Sequence, residues 1–313
     1  MKLLRGFRCF SELSAGSAVT IGNFDGVHRG HQALLKTLCQ QADMRQLSVV
    51  VMLFEPQPGE YFSANQAPAR LSSFREKMDA LAQCGVDYVY CLKFEHYLAC
   101  MEARHFAEQI IFSSLKAKYV LIGEDFRFGR GREGDAELLQ QIGALHSSVV
   151  ACFHDFYIDA ERVSSTKIRL ALQHDLAMAA AFLGRPYSMC GRVVHGDGRG
   201  RQWGVPTANI SLHRSTLPMS GVYCVLVESK GKPPLYGVAN LGCRPTVDGR
   251  RNVLEIHLFD WNKSLYGDML HVTFLHKLRK EEKFPTIDDL IAQIHADLNS
   301  AKQWFHHREM SYD

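Results

Sequence analysis

The stretch Ser17–Gln32, SAVTIGNFDGVHRGHQ, decides the fold. SAVTIGNF is a short apolar run with the composition of a buried strand, and GNFDGVHRGHQ (Gly22 to Gln32) is a glycine-bearing loop. The helical pattern HQALLKTLCQQAD starts at its end. The same alternation continues outward. LSVVVMLF, VDYVYCLKF, AKYVLIGEDF and SSVVACFHDF read as strands, and SSFREKMDALAQCG, ARHFAEQIIFSSLK and DAELLQQIGALH as helices. Strand–helix alternation predicts a parallel sheet covered by helices on both faces, with ligands bound beyond the carboxyl ends of the strands.

The pattern changes near LGRPYS. A helix is expected from about Ser165 through AMAAAFL, and Gly184 and Pro186 then supply stop signals. SMCGRVVHG, GVYCVLVES, LYGVANLG, VLEIHLFDW and MLHVTFLHKL follow as short strands separated by Gly and Pro, the spacing of a small all-β barrel. TIDDLIAQIHADLNSAKQWF closes the chain with helical periodicity and Thr286 as candidate N-cap. The boundary falls between Gly184 and Tyr187, giving domains 1–184 and 185–313.

Composition agrees with two globular domains. The 313 residues are 46% hydrophobic and 22% charged, which excludes a mainly disordered, collagen-like or coiled-coil chain. A net charge of +3 suits phosphate-bearing small molecules and is too modest for a dedicated nucleic-acid binder. The nine cysteines form no C-x-x-C pair, and Cys91 and Cys152 lie in apolar runs, as in a reducing compartment. MKLLRGFRCF lacks a secretory apolar stretch and no run approaches the ~20 residues of a membrane span, so a cytoplasmic protein is expected.

Four segments carry candidate chemistry. His28 and His31 are three apart at a helix start, where unpaired N–H groups and the helix dipole favour an anion, and Gly26 and Gly30 admit a phosphate to the backbone. The two imidazoles could instead bind a metal, but nothing nearby supplies a third ligand. In VSSTKIRLAL, Ser164, Ser165, Thr166, Lys167 and Arg169 read either as a plain N-cap or as a second phosphate grip. GEDFRFGRGREGD places Asp125 at a strand end, followed by Arg127, Arg130 and Arg132, in a loop that is solvated or ligand-facing, and FEPQPGEYF stiffens another with Pro56 and Pro58. In GRVVHGDGRGRQWGVPTANI the glycines could turn N–H groups to phosphate, while Thr207 and Asn209 point the same way if PTAN is extended. A hydroxyl and a carboxamide oxygen suit Mg²⁺, and an ordinary turn is the alternative. Glu255 and His257 share one face of NVLEIHLFDW, with Leu254, Ile256 and Leu258 on the other. By pattern alone the Glu is as readily a solvated residue as a catalytic one.

Taken together these segments resemble the prokaryotic bifunctional riboflavin kinase/FAD synthetase family, over nearly the whole chain. The resemblance implies a Rossmann-like nucleotidyltransferase domain followed by a six-stranded riboflavin-kinase barrel with a terminal helix. It implies that His28 and His31 stabilise the phosphates of ATP during adenylyl transfer, with Gly22, Asn23, Phe24, Asp25, Gly26 and Gly30 shaping the nucleotide site. Ser164, Ser165, Thr166 and Arg169 would form the second phosphate motif. Pro58, Phe62, Asp125 and Phe128 would lie towards FMN. In the barrel, PTAN, GVANLGCRPTV, LEIHLFDW and LRKEEKF carry the likeness. Glu255 would be the general base for the ribityl 5′-hydroxyl, Thr207 and Asn209 the Mg²⁺ ligands, Gly191, Gly196 and Gly200 part of the ATP loop, Arg244 a shaping residue, and Arg279 and Phe284 flavin contacts. Substrates and products are then ATP, riboflavin, FMN and FAD, with no nucleic-acid or membrane partner, and the chain a monomer or weak oligomer. Three positions depart from the family: Gln57 where it often has His, Lys167 where it has Arg, and Trp203-Gly204-Val205 before PTAN. An adenylyltransferase for another phosphate acceptor and a flavin-binding regulator without turnover are the competing functions.

Overall fold

The computed structural model describes residues 1–64, 66–196, 200, 203–212, 214–246 and 249–310, with the backbone alone at 244–246, 249–251 and 308–310. The chain forms two compact units, Met1–Pro68 with Lys77–Ser164, and Ala69–Glu76 with Ser165–Asp313.

The first unit is built on six parallel strands: β1 (Lys2–Arg5), β2 (Ser17–Ile21), β3 (Ser48–Glu55), β4 (Tyr88–Lys93), β5 (Ala117–Gly123) and β6 (Val149–Phe153). Their order is β1-β4-β3-β2-β5-β6. Successive strands step away from β2 on one side and then restart on its other side at β5, so the switch point lies between β2 and β5. Strand alternation divides the side chains between two faces. Val19, Ile21, Val50, Met52, Val120 and Ile122 pack with Phe106, Ile110 and Ile111 in one core. Helix α1 (Arg29–Arg45) lies over β2, β3 and β5, with Leu34, Leu35, Leu38 and Ala42 buried at helical spacing.

The other helices are α2 (Pro58–Phe62), α3 (Phe74–Gln83), α4 (His96–Ala99), α5 (Ala103–Phe106) and α6 (Ala136–Leu145). Residues Ala107–Ser114 continue α5 as a wider π-type turn, in which Ser113 and Ser114 hydroxyls donate to the carbonyls five residues back. A two-stranded ribbon, β7 (Tyr157–Ile158) and β8 (Glu161–Arg162), follows. All five expected strands are present, and β1 is an addition. It is an edge strand with one buried residue, Leu4, too short to leave a periodic pattern.

The second unit begins with α7 (Ser165–His174) and α8 (Leu176–Leu183). The single helix expected here is two, because the Asp175 carboxylate accepts from the N–H groups of Ala177 and Met178 and starts a new helix. Six antiparallel strands close into a barrel in the order β10-β13-β12-β11-β14-β9. They are β9 (Ser188–Val194), β10 (Ala208–Ser211), β11 (Gly221–Ser229), β12 (Leu235–Thr246), β13 (Gly249–Leu258) and β14 (Met269–Arg279). Helix α9 (Ile287–Met310) follows, and the Thr286 hydroxyl accepts from the Asp289 N–H as the expected cap. Its Ala301 and Phe305 pack on Val222, Cys224 and Val238 of the barrel.

The segment Ala69–Glu76 counts with the barrel, not with the sheet on either side of it in sequence, and so do α7 and α8, which the reading at 184/185 places in the first domain. Buried polar chemistry accounts for this. Arg214 ion-pairs with Glu76 and donates to the carbonyl of Arg70 at 2.8 Å and to the Tyr187 hydroxyl at 3.1 Å. Glu76 also accepts from the Cys190 N–H at 2.6 Å, and Arg169 of α7 donates to the Ala69 carbonyl at 2.6 Å. The Arg214 side chain is 2% exposed. Arg214→Met therefore leaves Glu76 without its buried partner and should cost the second unit about 3–5 kcal/mol. All three tryptophans lie in that unit, so urea unfolding followed by tryptophan fluorescence reads the loss, and an unchanged midpoint would contradict it.

Candidate functional site

In the first unit the candidate site lies at the carboxyl end of β2. The strand is fully buried and its sheet hydrogen bonding runs out at Gly22, whose N–H donates to the Met52 carbonyl at 3.2 Å. The chain then turns through three positive φ angles, Phe24 (47°), Gly26 (81°) and Val27 (42°). A β-branched residue in the left-handed region is strained, and strain of this kind is held where a loop is shaped for a ligand. Phe24 and Asp25 are buried beneath the loop. A Cβ on Gly22 would stand 3.1 Å from the Phe24 ring, so that glycine makes room for the buried phenyl.

His28 is the N-cap of α1, and its Nδ1 accepts from the His31 N–H at 3.3 Å. That bond places the neutral ring's proton on Nε2. The two imidazoles are stacked with centroids 3.6 Å apart, and Phe24 lies 4.8 Å beyond His31. Gly30 permits this arrangement, since a Cβ there would meet the His28 ring at 3.2 Å. Burial, then the positive fields of His28 and Lys77, hold the His31 pKa well below the ordinary histidine value. Among the described residues the buried side-chain atoms without a hydrogen-bond partner are Thr20 Oγ1, His31 Nδ1 and Gln57 Nε2. All three belong to β2, the start of α1, and the loop after β3. Unpaired buried polar atoms are costly, and their gathering at the end of two neighbouring strands marks a place for a polar ligand.

Around this end runs a chain of aromatic rings. Phe62, 65% exposed, packs edge-on to Phe94 at 5.7 Å, Phe94 meets Phe54, Phe54 meets Phe106, and Phe106 meets Phe128 at 5.8 Å. Pro58 opens the short helix that carries Phe62. Asp125 ion-pairs with Arg162, which Asp155 also holds at 2.8 Å. Ser164 ends the first unit, whereas Ser165, Thr166 and Arg169 stand in α7 of the second.

In the second unit three antiparallel strands align polar residues side by side. Glu255 of β13 pairs in register with Asn209 of β10 on one side and Asn240 of β12 on the other. Thr207, Asn209, Asn240, Glu255 and His257 line one cavity of about 310 Å³. Leu254, Ile256 and Leu258 are buried on the opposite face of β13, as the alternation requires. His257 Nδ1 lies 2.9 Å from the Pro206 carbonyl and anchors the approach to Thr207. A Cβ on Gly196 would collide with the Asn209 carboxamide, and one on Gly200 with the Val205 carbonyl. Gly191 is different, because its Cβ would strike Ile210 and Ser211, so barrel packing accounts for it. Burial pushes the Glu281 carboxyl in this cavity up, opposed by the charge of Arg279.

The FAD synthetase family profile matches residues 11–167, and the riboflavin kinase profile residues 183–305. A bifunctional riboflavin kinase/FMN adenylyltransferase of Escherichia coli (strain K12) is 48% identical over 97% of this chain and 98% of its own. The Haemophilus influenzae protein of that name is 46% identical over 97% and 99%. The chain belongs to the bifunctional riboflavin kinase/FMN adenylyltransferase family. It phosphorylates riboflavin to FMN and converts FMN to FAD, with ATP as co-substrate of both steps. A crystal structure titled as a macrolide-efflux protein from Streptococcus pneumoniae also matches, at 30% identity and TM-score 0.78, covering 94% of this chain and 97% of that one. Among the described residues no helix is long and apolar enough to cross a membrane.

Some residues at these places were not evident from sequence. Tyr61 and Phe94 join the aromatic row of the first unit, and Asn240 and Asp297 line the cavity of the second. Phe94, directly after β4, carried a usable signal, since a strand's carboxyl end was already the expected place for ligands. Of the departures, Trp203 lines the barrel cavity, Val205 is buried, and Gln57 Nε2 is one of the unpartnered atoms among the described residues. The Arg244 side chain lies outside the described residues.

The depressed His31 pKa has a defined sign. The unfolded chain takes up a proton near pH 6.5 that the folded protein refuses, so above that pH nothing is lost, and below it stability falls by up to about 1.4 kcal/mol per pH unit. As pH drops from 7 to 5 the unfolding midpoint of the wild type should fall faster than that of His31→Gln. Parallel curves would contradict a neutral, buried His31.

Proposed function

We propose that the two activities divide between residues 1–184 and 185–313, with adenylyl transfer at the β2–α1 loop and riboflavin phosphorylation in the barrel cavity. The observation that carries this reading is the cavity in which Glu255 stands between Asn209 and Asn240 with Thr207 beside them. The matched spans 11–167 and 183–305 support the division.

In the barrel, Glu255 accepts the proton of the ribityl 5′-hydroxyl as its oxygen attacks the γ-phosphorus of ATP and ADP departs. Thr207 and Asn209 offer a hydroxyl and a carboxamide oxygen beside the Glu255 carboxylate, a hard-oxygen set that fits Mg²⁺. Among the described residues no cluster of three or more His, Cys, Asp or Glu could hold a metal ion. When bound, Mg²⁺ supplies neutralising charge to the phosphates. A second cavity of about 290 Å³, lined by Pro206, Trp261 and Tyr266, shares Thr207 with the first, and we assign it to the purine of ATP.

In the first unit a phosphate oxygen of FMN attacks the α-phosphorus of ATP and pyrophosphate leaves. The nucleophile is already anionic, so the side chains position and stabilise charge and no base is required. His28 donates through Nε2, and His31, Gly22, Asn23, Asp25 and Gly26 shape the nucleotide pocket. The row of rings through Phe62 and Phe128 offers an apolar face for the isoalloxazine. We further propose that the protein works in the cytoplasm as a monomer or weak oligomer, without nucleic-acid partners.

Flavins separated chromatographically after incubation with riboflavin, ATP and Mg²⁺ test the division. His28→Ala should lower FAD formation by about 10²–10³-fold and spare FMN formation. Glu255→Gln should slow FMN formation by about 10²–10⁴-fold and spare adenylylation of added FMN. A His28→Ala protein with full FAD output would overturn the first assignment. Gly196→Ala should also depress only the kinase step, by displacing Asn209, and an equal loss of both steps would contradict that placement.

A further inference from the structure

LRKEEKF, read as a flavin-facing segment, has its arginine already engaged. Arg279 ends β14, and its Nε donates to Asp297 Oδ1 at 2.9 Å while its Nη2 donates to Oδ2 at 2.9 Å. Its Nη1 donates to the Lys280 carbonyl at 3.0 Å, and the guanidinium lies 5.5 Å over the Phe284 ring. Asp297, on α9, is 6% exposed and also accepts from the Gln293 amide at 2.9 Å. The two-point geometry leaves the pair one orientation.

Between β14 and α9 the residues 280–286 have no regular hydrogen bonding of their own. Their order depends on contacts at both ends. Arg279, Phe284 and Asp297 line the cavity from this side, while Asn209 and Glu255 line it from the barrel. The Asp297 carboxylate aligns the guanidinium, the guanidinium caps the Lys280 carbonyl, and its face supports Phe284. The wall opposite the catalytic strand is thus fastened from a helix that contributes no reacting group.

We propose that Asp297 is a positioning residue of the kinase reaction, which sets the flavin-side wall through Arg279 and Phe284 and acts on riboflavin binding, not on the transfer step. This rests on the reading that the cavity takes riboflavin. Asp297→Asn should raise KM for riboflavin about tenfold, with kcat within threefold of wild type and adenylylation of added FMN unchanged. A role confined to stability would instead lower kcat through loss of folded protein and leave KM alone. Arg279→Lys should reproduce the KM shift, and the double variant should be no worse than either single one, because the two groups act as one unit. Phe284→Leu, a loop substitution that keeps apolar bulk, should raise KM even if Asp297→Asn does not fold. An unchanged KM in folded Asp297→Asn, an unchanged KM in Phe284→Leu, or additive effects in the double variant would each overturn the proposal. Failure of the underlying reading looks different: Glu255→Gln would then keep its kcat.

Discussion

The buried ion pair between Glu76 and Arg214 governs how this chain is partitioned. A carboxylate and a guanidinium removed from water are tolerable only if their remaining hydrogen-bonding positions are filled, and here backbone groups and the Tyr187 hydroxyl fill them. Satisfying that pair draws Ala69–Glu76 out of the sequence of the α/β unit and makes it part of the barrel unit. Helix α3 consequently starts in one unit and ends in the other, and a domain boundary that looks like a point in the sequence becomes an exchange of segments.

Both sites are built by the same economy of means. Backbone geometry and missing side chains do much of the shaping: Gly30 leaves space for the stacked histidines and Gly196 for the Asn209 carboxamide. Polar groups are then held by neighbouring main-chain and side-chain groups, the His31 N–H on His28 Nδ1, the Pro206 carbonyl beside His257 Nδ1, and Asp297 on Arg279. This suits reactions at phosphorus, in which a phosphate or hydroxyl oxygen is the nucleophile and a positioned polyphosphate the partner. The neutral state of His31 belongs to the same logic, because a buried imidazole stacked on another gains nothing from a proton until an anion is present.

Much of this was legible in the residues alone, for identifiable reasons. The strand at Ser17–Ile21, the loop with His28 and His31, and the helix after it are local features, specified by β-branched runs, glycines and helical spacing within a few residues. Alternation along NVLEIHLFDW likewise assigned Glu255 and Leu254 to opposite faces, since side-chain direction in a strand is fixed by parity. The family likeness rested on such local runs, and with it the two reactions. Other features depend on partners far apart in sequence. No pattern around Asp297 reveals that it meets Arg279, nor that Arg214 meets Glu76, because an ion pair between distant segments leaves no periodic trace. The helical spacing of the alanine-rich run hides the break at Asp175, and β1 is too short to show a period. Sequence by itself therefore determined the strand–helix alternation of the first half, the strand-rich second half and the family with its two reactions. Tertiary structure alone decided which groups are held, neutral or engaged by a distant partner, because burial and long-range contacts exist only after the chain has closed on itself.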